Sequence, residues 1–354
     1  MTDSVELTVD TVVIGAGQAG LAAAYYLQQR SANFVILDDR AAVGDVWAAR
    51  FDALTLFSPA WASGLPGLKW SGSPLRYPTK DEAARYLREY AAHFRFPIHL
   101  GQRVVRVASR AEGGYLVATA AGRTYRARTV IVCTGAYNAP RRPVFAAELA
   151  PAVTQWHSQQ YQRPAQLLGR GPVAVVGSGN SALQIAANLA ATGRPVYAAF
   201  DEQTPALPNN TGMWVFLALT GMQRISRHTK LGQRLLRRPE PVVSQDLSRL
   251  RAFPNVRFIG RALGVETGTA LRGQRATTPP LEGVVWATGY GPAYDWLEVP
   301  VLDAEGEPQH HRGLTAAPGL AFLGLPWLNS RRSALLGGAG PDARYVVAQL
   351  LKTT

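Results

Sequence analysis

The stretch GPVAVVGSGNSALQIAANLAATGRPVYAAFDE, residues 171–202, decides the fold of this chain. It contains a short apolar run, a glycine turn at 177–182, an apolar helix-like segment and a second apolar run at 196–200. Strand, glycine turn, helix and strand in this order form the βαβ unit that binds dinucleotides, and its fingerprint tolerates Ala182 in place of the third glycine. The residues predicted to hold a pyrophosphate are Gly177, Ser178, Gly179, Asn180 and Ser181.

The chain opens with a second copy of this pattern, DTVVIGAGQAGLAAAYYLQQRSANFVILDD at residues 10–39. Gly15 permits the tight turn, Gly17 lets a pyrophosphate approach the backbone, and Gly20 lets the helix pack against the strand. Asp38 lies at the spacing, roughly 20 residues past the turn, where a carboxylate accepts the hydroxyls of an adenosine ribose. The residues predicted to bind this dinucleotide are Gly15, Gly17, Gln18, Ala19, Gly20, Asp38 and Asp39.

Two such units predict two bound nucleotides, and a flavin with a nicotinamide is the chemically sensible pair because one donates hydride to the other. Two further apolar runs, 129–135 and 283–290, contain Thr-Gly at or near their ends and are expected where the chain passes between two nucleotide domains. The predicted fold class is α/β, with two Rossmann-like dinucleotide-binding domains, the nicotinamide domain being inserted into the FAD domain. The expected limits are 1–155 plus 283–354 for the FAD domain, 165–282 for the NAD(P)H domain, and about 209–250 for a helical basic insert within it.

Composition excludes several classes of protein. The single cysteine, Cys133, excludes a disulfide framework, a cysteine-rich metal site and a redox dithiol. The N-terminus is acidic and lacks the features of a signal peptide, and no apolar run approaches the roughly 20 residues that span a bilayer. No HExxH or close cluster of ligand side chains offers a metal site, and no nucleic-acid-binding signature is present. We expect a cytoplasmic protein without a metal or a nucleic-acid partner.

The basic residues behind the net charge of +13 are scattered along the chain, and they cluster only in the arginine-rich segment 224–238. This segment allows two interpretations. One is a basic amphipathic surface for a membrane or an acidic partner. The other, which we prefer from the sequence, is a solvated helical insert near the entrance of an active site.

Six motifs are spread along nearly the whole chain: GAGQAG (15–20), LTLFSPAWASGLPG (54–67), CTGAYNAPRRP (133–143), GSGNSA (177–182), ATGY (287–290) and FLGLPWLNSRRSALLGGAG (322–340). Together they resemble the flavin-containing monooxygenase group, and most closely its small bacterial members, some of which are named as flavoproteins of potassium transport. Two motifs of the group are altered here. FxGxxxHxxx(F/Y/W) keeps His157 and Tyr161 but has Pro151 and Val153, and Gly-Gly-x-Trp reads GDVW at 44–47.

The resemblance implies an FAD-dependent NAD(P)H:oxygen monooxygenase, in which the nicotinamide reduces FAD and dioxygen adds at flavin C4a. One oxygen atom then enters a small organic substrate, by sulfide or amine oxygenation or by Baeyer–Villiger oxidation of a ketone, and the other leaves as water. The resemblance allows a homodimer. It places Asn180, Phe57 and Trp47 at the flavin–nicotinamide contact as catalytic residues, with Tyr290 and Trp327 as weaker candidates. Further cofactor contacts that it implies are Ser58, Val105, Thr134, Gly135, Thr288 and Gly289.

The nicotinamide coenzyme is predicted from the end of the second strand in its unit. NADPH-dependent relatives usually carry an arginine there, whereas this chain has Asp201-Glu202-Gln203-Thr204. A carboxylate at Asp201 suits a free 2′-hydroxyl and repels a 2′-phosphate. We therefore expect NADH to be accepted at least as well as NADPH.

Two nucleotide units are also compatible with two other functions. A disulfide reductase of the thioredoxin reductase type needs a redox dithiol, which one cysteine cannot supply. A non-oxygenating reductase or oxidase, or a flavoprotein that senses the redox state of nicotinamides, stays open. His157 is interpreted as a hinge residue that hydrogen-bonds the linker between domains, in preference to a proton-transfer residue.

Overall fold

In the computed structural model, residues 6–352 are described, and they form two main β-sheets with helices on their faces. Residues 1–5, part of the acidic N-terminus on which the signal-peptide expectation rests, lie outside the described residues. The strands are β1 (Glu6–Ile14), β2 (Phe34–Leu37), β3 (Ile98–His99), β4 (Val104–Ser109), β5 (Tyr115–Thr119), β6 (Thr124–Val132), β7 (Ala139–Pro140), β8 (Thr154–His157), β9 (Val173–Val176), β10 (Val196–Ala199), β11 (Ala206–Leu207), β12 (Val242–Val243), β13 (Val256–Phe258), β14 (Ala262–Glu266), β15 (Ala270–Gly273), β16 (Gly283–Trp286), β17 (Tyr290–Gly291), β18 (Leu297–Glu298) and β19 (Leu320–Phe322). The helices are α1 (Gln18–Gln28), α2 (Asp45–Ala48), α3 (Lys80–Phe94), α4 (Asn180–Ala190), α5 (Thr211–Thr220), α6 (Lys230–Leu236), α7 (Ser244–Arg251) and α8 (Ala339–Leu350).

The larger sheet has the strand order β18-β4-β5-β6-β1-β2-β3, with β19 also paired to β6. Strand β1 runs parallel to both β2 and β6, so the carboxyl ends of these three strands meet at one edge. Their last residues are buried and apolar, as is typical of parallel strands covered on both faces. Helices α1 and α8 pack against each other and contribute to the core of this sheet.

The second sheet is parallel throughout, with the order β13-β10-β9-β16-β8. Helices α4 and α7 pack on one face, and a second apolar cluster that includes Trp286 covers the other. All of its strands come from residues 154–286, between the two parts of the chain that form the larger sheet. The expected fold class, two Rossmann-like units with one inserted into the other, is confirmed.

The domain limits expected at 155 and 283 stay a prediction, and the pairing of two strands bears on where they fall. Strands β8 and β16 pair with each other, and β16 also pairs with β9, so both strands lie wholly in the second sheet. The sequence could not tell to which of the two sheets β8 and β16 belong, because each is a short apolar run that fits a buried position in either sheet. We therefore propose that the inserted unit begins at Thr154 and that the chain leaves it after Trp286. Helix α7, expected within the insert, contributes Leu247 and Leu250 to the second core.

The altered GDVW motif is explained by the packing of α2 against α3. Gly44 has a φ of 86°, and a Cβ there would lie 2.4 Å from the carbonyl oxygen of Ala84 in α3, so this glycine is required. The position of the lost glycine, Asp45, is the first residue of α2, and its Oδ2 accepts a hydrogen bond from the Ala42 amide at 2.9 Å. An acidic residue is favourable in the first turn of a helix, so this departure from the motif is compatible with the local fold.

Candidate functional site

The first glycine loop joins β1 to α1 and has one open position. A Cβ on Gly15 would lie 2.7 Å from the Cys133 carbonyl oxygen, and one on Gly20 would lie 1.8 Å from the Gly15 carbonyl oxygen. A Cβ on Gly17, in contrast, would have no protein atom within 4 Å. Gly17 is the N-cap of α1 and no side chain caps the helix, so the amide groups of its first turn face this open space. Such a cradle is suited to the phosphates of a dinucleotide.

Asp38 lies at the end of β2, beside the first glycine loop. Its two carboxylate oxygens accept hydrogen bonds from the amides of Ala16 at 2.6 Å and Arg40 at 2.9 Å. Burial raises the pKa of the Asp38 carboxyl, and the two amide hydrogen bonds oppose that rise. Each oxygen retains a second lone pair that a ribose hydroxyl could reach. The neighbouring Asp39 is exposed and lies 3.4 Å from the Arg40 guanidinium.

The second glycine loop repeats this geometry between β9 and α4. A Cβ on Gly177 would lie 2.2 Å from the Ala287 carbonyl oxygen, whereas one on Gly179 would meet no protein atom within 4 Å. Gly179 is the N-cap of α4, again without a side-chain cap. Ala182 is buried in the core of the second unit, which explains why alanine is accepted in place of the third glycine. The loop is joined to β10 because the Ser178 hydroxyl accepts a hydrogen bond from the Asp201 amide at 2.9 Å.

The carboxyl end of β10 forms a charged cavity that the sequence predicted only in part. Asp201 accepts a hydrogen bond from the Gln203 amide at 3.0 Å, and its other oxygen lies 3.9 Å from Nε of Arg261. Glu202 forms a two-point ion pair with Arg275, at 2.6 Å for both contacts. The cavity has a volume of about 300 Å³ and is lined by Asp201, Glu202, Gln203, Gly260, Gln274 and Arg275. Sequence reasoning missed both arginines, because Arg261 follows β13 and Arg275 follows β15. Arg275 lines the cavity and Arg261 lies beside Asp201, and both positions depend on the pairing of β10 with β13.

We predict that NADH is accepted at least as well as NADPH, and that Asp201→Arg raises the ratio of kcat/KM for NADPH over NADH by about tenfold. The reason is that like charges about 4 Å apart repel by on the order of 1 kcal/mol or more even in water, which is close to the 1.4 kcal/mol of a tenfold change. The measurement is flavin reduction by each coenzyme in the wild type and in the variant. A strong wild-type preference for NADPH that Asp201→Arg leaves unchanged would contradict this prediction, and Arg275→Ala would then show whether the Arg275 guanidinium reads the phosphate.

The structure brings the N-terminus of α4 next to the segment that carries Phe57. Gln184, one turn beyond Asn180 on α4, donates a hydrogen bond to the Thr55 carbonyl oxygen at 3.5 Å. The side-chain oxygen of Asn180 accepts a hydrogen bond from the Val243 amide at 2.8 Å. The two N–H groups of the same side chain can therefore donate to a different partner. Phe57 is exposed at this junction. Asn180 and Phe57 thus belong to two segments that contact each other through Gln184 and Thr55.

The other predicted contacts are distributed over both units. Trp47 packs half-buried against the first core, and Ser58 is buried with its hydroxyl bonded to that of Ser63 at 2.8 Å. Val105 is exposed at the start of β4, three residues after Gln102, whose amide donates to the Asp38 carbonyl oxygen at 2.8 Å.

The two Thr-Gly turns are tied to the segment that follows β6. Asn138 donates to the carbonyl oxygens of Thr134 at 3.0 Å and Gly135 at 3.1 Å. The Thr288 hydroxyl bonds to the Arg141 carbonyl oxygen, and the Arg141 amide donates to the Gly289 carbonyl oxygen at 3.0 Å. Both turns thus lie at the passage between the sheets, as expected from their position in the sequence.

A cluster of aromatic and basic side chains joins the two units at this passage. Arg50 donates to the Tyr290 hydroxyl at 2.9 Å and lies 5.9 Å from the ring centroids of both Tyr137 and Tyr290. His157 is fully buried, with Nε2 3.0 Å from the Gly289 carbonyl oxygen and Nδ1 3.2 Å from the Gln159 amide. Burial lowers the pKa of His157. The hinge interpretation of His157 predicts hydrogen bonds to the linker between the units, and the contact with Gly289 is of this kind. No feature of the sequence indicated a role for Arg50.

Trp327 lies away from these predicted contacts, in the segment that precedes α8. Its indole Nε1 donates to Glu240 at 2.8 Å, and its carbonyl oxygen accepts from Arg227 at 3.1 Å. It therefore connects the C-terminal segment to the insert. Within residues 6–352, no group of three or more His, Cys, Asp or Glu side chains could hold a metal ion, and no helix is long and apolar enough to cross a membrane.

Two open glycine cradles, each at the carboxyl ends of parallel strands in its own sheet, define a two-dinucleotide oxidoreductase of the α/β class. The chain belongs to the pyridine nucleotide-disulphide oxidoreductase family, whose model matches residues 12–226. It is 39% identical over 348 residues to an uncharacterized CzcO-like oxidoreductase of Geobacillus kaustophilus, with 97% of this chain and 98% of that protein covered.

Solved structures agree with this family. A flavin-containing monooxygenase from Stenotrophomonas maltophilia superposes with a TM-score of 0.80 at 28% identity, over 98% of this chain and 99% of that one. A doubly substituted mutant of a flavin monooxygenase from the same organism gives a TM-score of 0.82 with the same identity and coverage. The expected resemblance to flavin-containing monooxygenases and the expected class of enzyme, a flavin-dependent oxidoreductase, are confirmed.

Proposed function

We propose that this chain is a cytoplasmic FAD-dependent NAD(P)H:oxygen monooxygenase that inserts one atom of O₂ into a small organic substrate. The observation that carries the proposal is the pair of open cradles at Gly17 and Gly179, each at an uncapped helix N-terminus. FAD fits the first cradle, where Asp38 is placed for the ribose. A nicotinamide dinucleotide fits the second, where Asp201 lies at the end of β10. The similarity to the Stenotrophomonas flavin monooxygenase supports this assignment.

Bound FAD would accept hydride from the nicotinamide and activate dioxygen, and the residues of the chain would position the reactants and exclude water. Asn180 is placed to donate a hydrogen bond, because the Val243 amide holds its oxygen and leaves its NH₂ group for a ligand. Phe57 offers an exposed apolar ring at this junction, and Trp47 offers apolar surface against the first core. His157 and Arg50 hold the passage between the units through Gly289 and Tyr290. We assign these two residues positioning roles.

The family name includes disulfide reductases, but the one cysteine does not support that chemistry here. Cys133 is 5% exposed, and burial raises the pKa of its thiol far above the usual range. A buried neutral thiol is a poor nucleophile, and a dithiol mechanism needs a second cysteine that the sequence does not have.

The proposal is tested by measuring how NAD(P)H oxidation is coupled to product. Purified enzyme would be given O₂ with thioethers, amines and cyclic ketones in turn, and NAD(P)H loss, oxygenated product and H₂O₂ would be quantified together. We expect at least one substrate class to accelerate NAD(P)H oxidation and to give product in nearly equal amount. Slow peroxide release with every class would instead favour the alternative, a non-oxygenating oxidase or a redox-sensing flavoprotein.

A further inference from the structure

The insert that follows the nicotinamide-binding unit has an unusual distribution of charge. Residues 203–239 include no Asp or Glu, although the chain as a whole has 24 acidic residues. The cations in this stretch are Arg224, Arg227, Lys230, Arg234, Arg237 and Arg238. All of these except Arg227 are exposed. The stretch therefore carries positive charge only: α5 is uncharged, and the six cations all lie in residues 224–238.

The same insert exposes large apolar side chains. In α5 only Trp214 is buried, while Leu219 is 83% and Phe216 is 50% exposed. Just beyond the helix, Met222 is also exposed, and α6 contributes Leu231 at 50%. We call these exposed apolar side chains, together with the exposed cations on α6, the insert face. Residues 221–229, which include the exposed Met222 and Arg224, connect the apolar helix α5 to the cationic helix α6.

Specific contacts hold the insert on the body of the protein without covering the insert face. The Trp214 indole packs edge-on against Trp61 outside the insert, with ring centroids 6.5 Å apart, and its orientation is fixed by a hydrogen bond to Asn209 within the insert at 2.7 Å. Beyond α5, the Arg227 amide donates to the Asn329 carbonyl oxygen at 2.7 Å. The insert is thus docked through these residues, and the side chains of Phe216 and Leu219 face outward.

We propose that the insert face docks on an anionic phospholipid surface. Acyl chains near the headgroups would take up the apolar side chains, and lipid phosphates would pair with Lys230 and Arg234 of α6 and with Arg237 and Arg238, which directly follow it. Charge selects this occupant over a second copy, since two copies of a chain with a net charge of +13 repel each other across a basic face. An acidic peptide would pair with the arginines but leave Leu219 in water. The proposal does not depend on the proposed monooxygenase activity.

Flotation with lipid vesicles tests the proposal on the full-length flavoprotein. Vesicles of phosphatidylcholine with 30% phosphatidylglycerol are expected to carry the protein at low salt, and vesicles of pure phosphatidylcholine are expected to carry at least about tenfold less. The paired variant Phe216→Gln and Leu219→Gln should lose at least about tenfold in binding to the anionic vesicles. Leu168→Gln, at a position that is 82% exposed outside the insert, is the matched control and should bind like the wild type.

Charge is tested with Arg234→Gln, Arg237→Gln and Arg238→Gln combined, which should also reduce anionic-vesicle binding at least about tenfold. Bound flavin and Tm, which should match the wild type because all of these positions are exposed, show that the variants are folded. Absence of binding to anionic vesicles would overturn the proposal. So would binding that is equal on both vesicles, or binding that the Phe216 and Leu219 substitutions leave unchanged.

Discussion

Gly17→Val is expected to purify without bound FAD and to bind added FAD at least about a hundredfold more weakly than the wild type. Gly17 has extended backbone angles, φ −75° and ψ −173°, which valine adopts readily, and its Cβ would meet no protein atom within 4 Å. The substitution therefore leaves the apoprotein fold in place and fills only the phosphate path. Losing two charge-assisted hydrogen bonds, at about 1.5–3 kcal/mol each, corresponds to a hundredfold or more in affinity.

The measurement is the flavin absorbance of the purified protein, followed by titration with FAD, with Tm as the check on folding. A variant that is as yellow as the wild type would show that the pyrophosphate does not pass Gly17. A variant that has lost its fold would also contradict the prediction, because the structure has room for a valine side chain at Gly17.

Gly179→Val is expected to keep FAD but to lose at least about a hundredfold in kcat/KM for flavin reduction by NADH or NADPH, for the same reasons of space and lost hydrogen bonds. Its backbone angles, φ −102° and ψ 174°, and the free space around its Cβ match those of Gly17. The two variants are therefore matched controls for each other, since the same substitution is made at the same place in two copies of one unit.

Anaerobic stopped-flow reduction measures this effect, and dithionite, which needs no binding site, should reduce the variant flavin normally. Unchanged reduction by both coenzymes in Gly179→Val would mean that the nicotinamide binds elsewhere. Loss of FAD from Gly179→Val would mean that the two cradles do not bind separate ligands.

The two nucleotide units could be predicted from the sequence because their constraints are local. Gly15 and Gly177 have φ values of 106° and 149°, and any side chain at either position would strike the backbone of the neighbouring strand. Only glycine meets these steric requirements, so glycines recur at a fixed spacing in the sequence. The strands and the helix of each unit directly flank that glycine pattern. Asp38 and Asp201 were predicted in the same way, because each lies within two residues of the end of a strand of its own unit.

The rest of the site depends on contacts between distant segments. Arg275 pairs with Glu202, and Arg50 bonds to Tyr290, although each pair is far apart in the sequence. No periodicity or spacing indicates such contacts, which arise only when strand order brings the loops together. The exposure of α5 could not be predicted for a related reason. An apolar run of ten residues is typical of a core helix, and only the packing of the folded chain shows which of its side chains are exposed.

Turnover under ¹⁸O₂ tests the central claim, oxygen insertion by a two-dinucleotide flavoprotein, most directly. Enzyme that holds FAD would be supplied with NADH and with the substrate that accelerates NADH oxidation most, and the product would be analysed by mass spectrometry. We predict one ¹⁸O atom in each product molecule, the second in water, and one NADH consumed for each product formed. Product that lacks ¹⁸O, with all of the consumed oxygen recovered as labelled hydrogen peroxide, would contradict the claim.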